Sequence, residues 1–119
     1  MQTMLLQRRD PQVRAYFIWG PYLTGDTIET ARQGTQRFLA PNSVYFWTST
    51  QKLSAELASV LRLGMGRAAW DVYLIYRKGI IWEGQVPSPT YWQQQLEVLQ
   101  GEPFNITVFE GRILEYLRP

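Results

Sequence analysis

Any chemistry in this chain has to run on carboxylates, hydroxyls and guanidinium groups. The 119 residues contain no cysteine and no histidine. Thiolate zinc sites, dithiol redox chemistry and cysteine nucleophiles are excluded on that count. Triads and phosphotransfer reactions that turn on an imidazole go with them. A bound metal would have to be a hard cation held by oxygen. Nor is there a glycine-lysine phosphate loop. Leu63-Gly64-Met65-Gly66-Arg67 follows a helical pattern instead of opening one. The sequence calls for no cofactor.

Three acidic residues are the candidates for metal-assisted hydrolysis: Asp26, Asp71 and Glu83. The spacing from Asp71 to Glu83-Gly84-Gln85 resembles the acidic pattern of metal-dependent nucleases, with Gln85 where that pattern needs a lysine. That lysine would activate water or stabilise charge. The plainer assignment makes Asp26 a helix cap, Glu83 a solvated strand residue and Asp71 half of an ion pair.

Ten arginines and two lysines against ten acidic residues leave a net charge of +2. Arg8, Arg9 and Arg14 gather near the start, and Arg62, Arg67, Arg77 and Lys78 form a second basic stretch. If they converge, they make a phosphate-binding surface; if scattered, they are an ordinary solvated face. Five tryptophans, at 19, 47, 70, 82 and 92, offer stacking surfaces, yet their periodic placement assigns most of them to a core. Trp82, on an outer strand, and Tyr22, in a loop, are the aromatics expected at the surface.

Positioning these groups requires elements, and the chain supplies them in order. Residues 1–11 read as a polar, basic tail and 12–119 as a single domain. Residues 13–19 are apolar on both faces, the pattern of a central strand covered from each side. Asp26 with Glu29 forms a capping box for a helix whose stripe is Ile28, Ala31, Thr35, Phe38 and Leu39. Gly34 in that helix marks a close approach to the sheet. Residues 44–48 form a second strand. Leu53, Leu57, Val60 and Leu61 form the buried stripe of a second helix, which Gly64 ends in the left-handed conformation. Residues 70–76 and 80–83 pair as a hairpin across Arg77-Lys78-Gly79. Ser88-Pro89 then starts a third helix, with Trp92, Leu96 and Leu99 on one stripe and Gly101 at its end. Phe104 to Phe109 alternates, Glu110-Gly111 turns, and 113–117 returns as a final hairpin. The sum is an α/β or α+β domain: one mixed sheet and three helices in the order βαβαββαββ.

Over residues 13–100 this order resembles the thioredoxin-like fold. Trp19-Gly20-Pro21-Tyr22 is similar to that family's Trp-Cys-Gly-Pro-Cys turn. Both cysteines are absent, so the resemblance implies a thioredoxin-like core plus a C-terminal hairpin, without dithiol chemistry. Arg67-Ala68-Ala69 also stands where the family places a cis-proline.

The leading functional expectation is a small, non-enzymatic protein–protein interaction domain, self-associating or a subunit of a larger assembly. Its contact residues would be Tyr22, Trp82, Phe109 and Tyr116. A nucleic-acid-binding accessory protein using the seven basic residues is the first alternative, and a carboxylate-dependent metal enzyme the second. No run is long and apolar enough to span a bilayer and the N-terminus lacks a signal peptide's pattern, which points to the cytoplasm with no membrane partner.

Overall fold

A computed structural model describes residues 12–21, 25–37, 42–64, 68–95 and 101–118. The chain divides into two compact units, Met1–Gln51 and Lys52–Pro119. Among the described residues the α/β content is three helices and two small sheets, each of two strands.

The first unit runs β1 (Ala15–Trp19), α1 (Ile28–Arg37) and β2 (Ser43–Trp47). The strands pair in parallel, Ala15 opposite Ser43 through Trp19 opposite Trp47. Aromatic and β-branched residues dominate both strands, and cross-strand ring contacts follow from the register. Phe17 stacks on Tyr45 at 5.0 Å, and Tyr16 on Phe46 at 6.3 Å. The helix α1 packs on the face that carries Trp19. A Cβ at Gly34 would lie 3.5 Å from the Trp19 ring, an ordinary contact, so the approach is close without demanding glycine. The cap sits one residue later than the sequence suggested. Thr30 N–H donates to Thr27 Oγ1 at 3.2 Å and Thr27 N–H donates to Thr30 Oγ1 at 2.9 Å, a reciprocal box built from two threonines.

The second unit runs α2 (Lys52–Val60), β3 (Val72–Ile75), β4 (Tyr91–Gln94) and α3 (Ile106–Leu117). The two strands are antiparallel, Val72 opposite Gln94 through Ile75 opposite Tyr91. Alternation gives the sheet two apolar faces. Val72, Leu74 and Trp92 pack against the core of Leu57, Ala58, Leu61, Leu63 and Ala69. On the other face Tyr73 stacks on Phe104 at 4.0 Å, and Tyr73 and Tyr91 both meet Phe109. A two-stranded sheet is thus packed between α2 and the aromatic side of α3. At its C-terminus, α2 closes with Arg62 N–H donating to Ser59 O (3.2 Å) and Leu63 N–H to Ala58 O (3.0 Å). Arg62 itself, not Gly64 alone, takes the left-handed conformation there, at φ +58.

Four expectations from the sequence are corrected. One mixed sheet is replaced by two pairs. Residues 80–83 do not pair with β3; its partner is β4, in the segment the Ser88-Pro89 signal assigned to a helix. The final hairpin is a helix, capped by Asn105, whose side chain accepts from Val108 N–H at 3.1 Å. And β1 is covered on one face only, as the exposure of Tyr16 and Ile18 shows. The tail at 1–11 lies outside the described residues, as do Leu96 and Leu99.

Candidate functional site

Within the second unit, Asp71 and Glu83 stand apart. Asp71 precedes β3 with its backbone in the left-handed region, φ +57. Tyr73 Oη donates to Asp71 Oδ1 at 3.2 Å. The Gln95 carboxamide, assigned with its nitrogen toward Asp71, donates to both carboxylate oxygens at 3.0 and 3.1 Å and to Tyr73 Oη at 3.0 Å. Gln95 N–H also donates to the Asp71 carbonyl at 3.1 Å. Among the described residues, Asp71 ties the start of β3 to the end of β4 through hydrogen bonds. Burial, reinforced by this carboxylate, pushes the Tyr73 phenol up to about 12, which suits a donor and not a base. Glu83 lies beyond the opposite end of β3, in the loop whose Trp82 meets Tyr76. A four-residue strand, about 13 Å of chain, intervenes. Asp26 belongs to the first unit. Among the described residues no three acidic side chains gather where a metal ion could sit.

Arg14 is in the first unit; Arg62, Arg77 and Lys78 are in the second. Arg62 closes α2. The Arg77 guanidinium lies over the Tyr116 ring, 4.6 Å from its centroid. Arg8, Arg9 and Arg67 lie outside the described residues.

Of the expected contact aromatics, Tyr22 lies outside the described residues. Phe109 is 3% exposed, with Tyr73, Tyr91 and Phe104 around it. It is a core residue of α3, and the outer strand that was to display it does not form. Tyr116 is half-buried beneath Arg77. Trp82 is at the surface, on a loop instead of a strand.

Two apolar surfaces emerge that the sequence did not single out. The first is the outer face of the β1–β2 sheet, where Tyr16, Ile18, Val44 and Phe46 are 58%, 42%, 38% and 50% exposed. Register places Tyr16 beside Val44 and Ile18 beside Phe46, so the four form one continuous patch with no charged member. The doubly apolar pattern of both strands pointed to burial and hid it. The second is the tip of the β3–β4 connection, Ile80, Ile81 and Trp82, 39%, 68% and 42% exposed. Reading 80–83 as a paired strand concealed that one.

Comparison with protein-family models, with curated proteins and with solved structures finds no match.

Proposed function

We propose that the chain is a non-enzymatic α/β contact module of the cytoplasm that pairs with a second copy of itself through the outer face of the β1–β2 sheet. The observation that carries the reading is the uncharged patch of Tyr16, Ile18, Val44 and Phe46 on a surface made of backbone-paired strands. A contiguous apolar face of this kind favours a partner face that is equally flat and uncharged. The same patch on another copy meets that requirement by symmetry, residue i on j and j on i. The separation of Asp71 from Glu83 by β3, with no group of three acidic side chains among the described residues, supports a contact role over metal-assisted catalysis. The order β-α-β-α-β-β-α of the described elements is the one the thioredoxin-like pattern uses, but the strands pair as two separate sheets and β4 and α3 occupy other residues than that pattern assigned.

Covering the exposed part of these side chains regains about 1 kcal/mol each, or about 8 kcal/mol for two copies. Association costs at least about 4 kcal/mol. The dimer is accordingly weak and reversible, populated only as the concentration approaches about 1 mM. Replacing Tyr16 and Phe46 by lysine places like charges in the patch of both copies. Sedimentation velocity over a dilution series is the test: the unmodified chain gains mass with concentration and the double variant does not. A chain that sediments as a monomer throughout contradicts the reading.

A further inference from the structure

The connection between β3 and β4 is a built projection. Ile80 N–H donates to the Arg77 carbonyl at 3.3 Å, closing a turn in which Gly79 sits at φ +96. Gln85 N–H donates to the Glu83 carbonyl at 2.7 Å, closing a three-residue turn about Gly84 at φ +70. Both positions need glycine's freedom at positive φ. The base is fastened as well. Tyr76 Oη donates to the Pro87 carbonyl at 2.8 Å and Arg77 N–H donates to Thr90 Oγ1 at 3.1 Å. The Tyr76 ring meets Trp82 edge-on at 5.4 Å. Held between the two turns, Ile80, Ile81 and Trp82 face solvent, with Arg77 and Lys78 exposed beside them and Glu83 the one carboxylate in the loop.

We infer that this loop seats on the surface of an anionic lipid bilayer. Unlike the β1–β2 face, three side chains on a loop tip present no flat, strand-paired surface for a second protein to match. A lipid surface asks for no complementary shape. Isoleucine side chains enter the acyl boundary, and an indole settles at headgroup depth with its N–H toward water. Arginine and lysine stems run along the apolar layer and leave their charges at the phosphates. The loop holds all three kinds of group: Ile80, Ile81 and Trp82 exposed, Lys78 exposed beside them, and Arg77 with its guanidinium over the Tyr116 ring. The cytoplasmic leaflet carries the matching negative charge, and each cation near it strengthens binding about fivefold. A seated loop needs no spanning helix, so the lack of one in the sequence is no bar to a membrane partner. The patch on the β1–β2 sheet is not involved, and either proposal stands if the other fails.

The chain has no cysteine, so Ile81→Cys accepts one environment-sensitive fluorophore at the tip. Mixed with phosphatidylcholine vesicles containing phosphatidylserine, the label shifts to the blue and brightens; with phosphatidylcholine alone the change is several-fold smaller. In co-sedimentation with the same vesicles, Ile81→Asp reduces binding at least tenfold and Lys78→Glu several-fold, while both variants keep the melting temperature of the unmodified chain. Absence of binding to the phosphatidylserine vesicles overturns the inference, as does binding that Ile81→Asp leaves intact. A blue shift that grows with protein concentration without vesicles also overturns it, because the tip then belongs to a protein contact.

Discussion

The Gln93 carboxamide oxygen accepts a hydrogen bond from the backbone N–H of Asn105 at 2.9 Å, and this bond holds the start of α3 against β4. Gln93 is wholly buried. Its nitrogen donates to Tyr91 Oη at 2.9 Å, and Tyr91 Oη in turn donates to Glu102. One residue on, Gln94 Nε2 donates to the Gly101 carbonyl at 3.1 Å, and the 102–104 backbone bonds to Gln94 on both sides. Two glutamines thus replace the hydrophobic contacts that usually join a strand to the following segment.

Truncating Gln93 removes both bonds and leaves the part-buried Asn105 N–H without its acceptor. Gln93→Met keeps the volume and is expected to lower stability by about 2 kcal/mol. Urea denaturation followed by circular dichroism measures it; a loss under about 0.5 kcal/mol would mean that the bond to Asn105 does not hold α3.

The tight return at 101 makes a second prediction. A Cβ on Gly101 would lie 2.6 Å from Trp92 Cη2 and 2.6 Å from Gln94 Cγ. Trp92 is packed against the core and cannot simply swing away. Gly101→Ala is expected to cost about 1–3 kcal/mol, read as a lower midpoint in the same denaturation. An unchanged midpoint would contradict the packing.

Gly111 behaves in the opposite way. It lies inside α3, and a Cβ there meets nothing within 4 Å. Gly111→Ala therefore raises stability by up to about 1 kcal/mol through helix propensity alone. A hairpin turn at Glu110-Gly111 would respond with a loss, so the sign of the change separates the two conformations.

That contrast shows where the sequence was legible and where it was not. β1, β2, α1, α2 and β3 were readable because periodicity and caps agreed within each of them. The third helix and the last hairpin were misread for reasons visible in single residues. Ser88-Pro89 is a good helix start, but it precedes Thr90-Tyr91-Trp92, which are strand formers. The polarity of Gln93 and Gln94 concealed a strand whose burial rests on hydrogen bonds. Ile106, Thr107 and Val108 suggest a strand, and Gly111 suggests a turn. The helical signal was nevertheless present: Asn105 as cap and Phe109, Ile113, Tyr116 and Leu117 at helical spacing. The exposed surfaces were the least legible, because an apolar strand carries no mark of which face will be covered.

Tyrosine ionisation gives a prediction in pH. Burial holds Tyr76 up at about 12, and burial with the Asp71 carboxylate does the same for Tyr73. Burial, then the bond to Glu102, also raises Tyr91. The folded chain keeps these protons where the unfolded chain has lost them. Their contribution to stability is full below pH about 10 and falls away as pH rises toward about 12. A spectrophotometric titration of the seven tyrosines should show a late group, smaller by one phenol in Tyr73→Phe. A single transition near pH 10 would contradict the burial of these rings.

The proposed self-association rests on the β1–β2 face, and analytical ultracentrifugation of the unmodified chain from roughly 10 µM to 1 mM reaches the near-millimolar concentrations where a dimer of this strength forms. The account predicts a weight-average mass that climbs from one chain toward two across that series. Tyr16→Lys with Phe46→Lys should hold it at one chain at the same melting temperature, and Ile81→Asp should leave the climb unchanged. A mass that stays at one chain to the top of the series, or a climb that survives the two lysines, would contradict it.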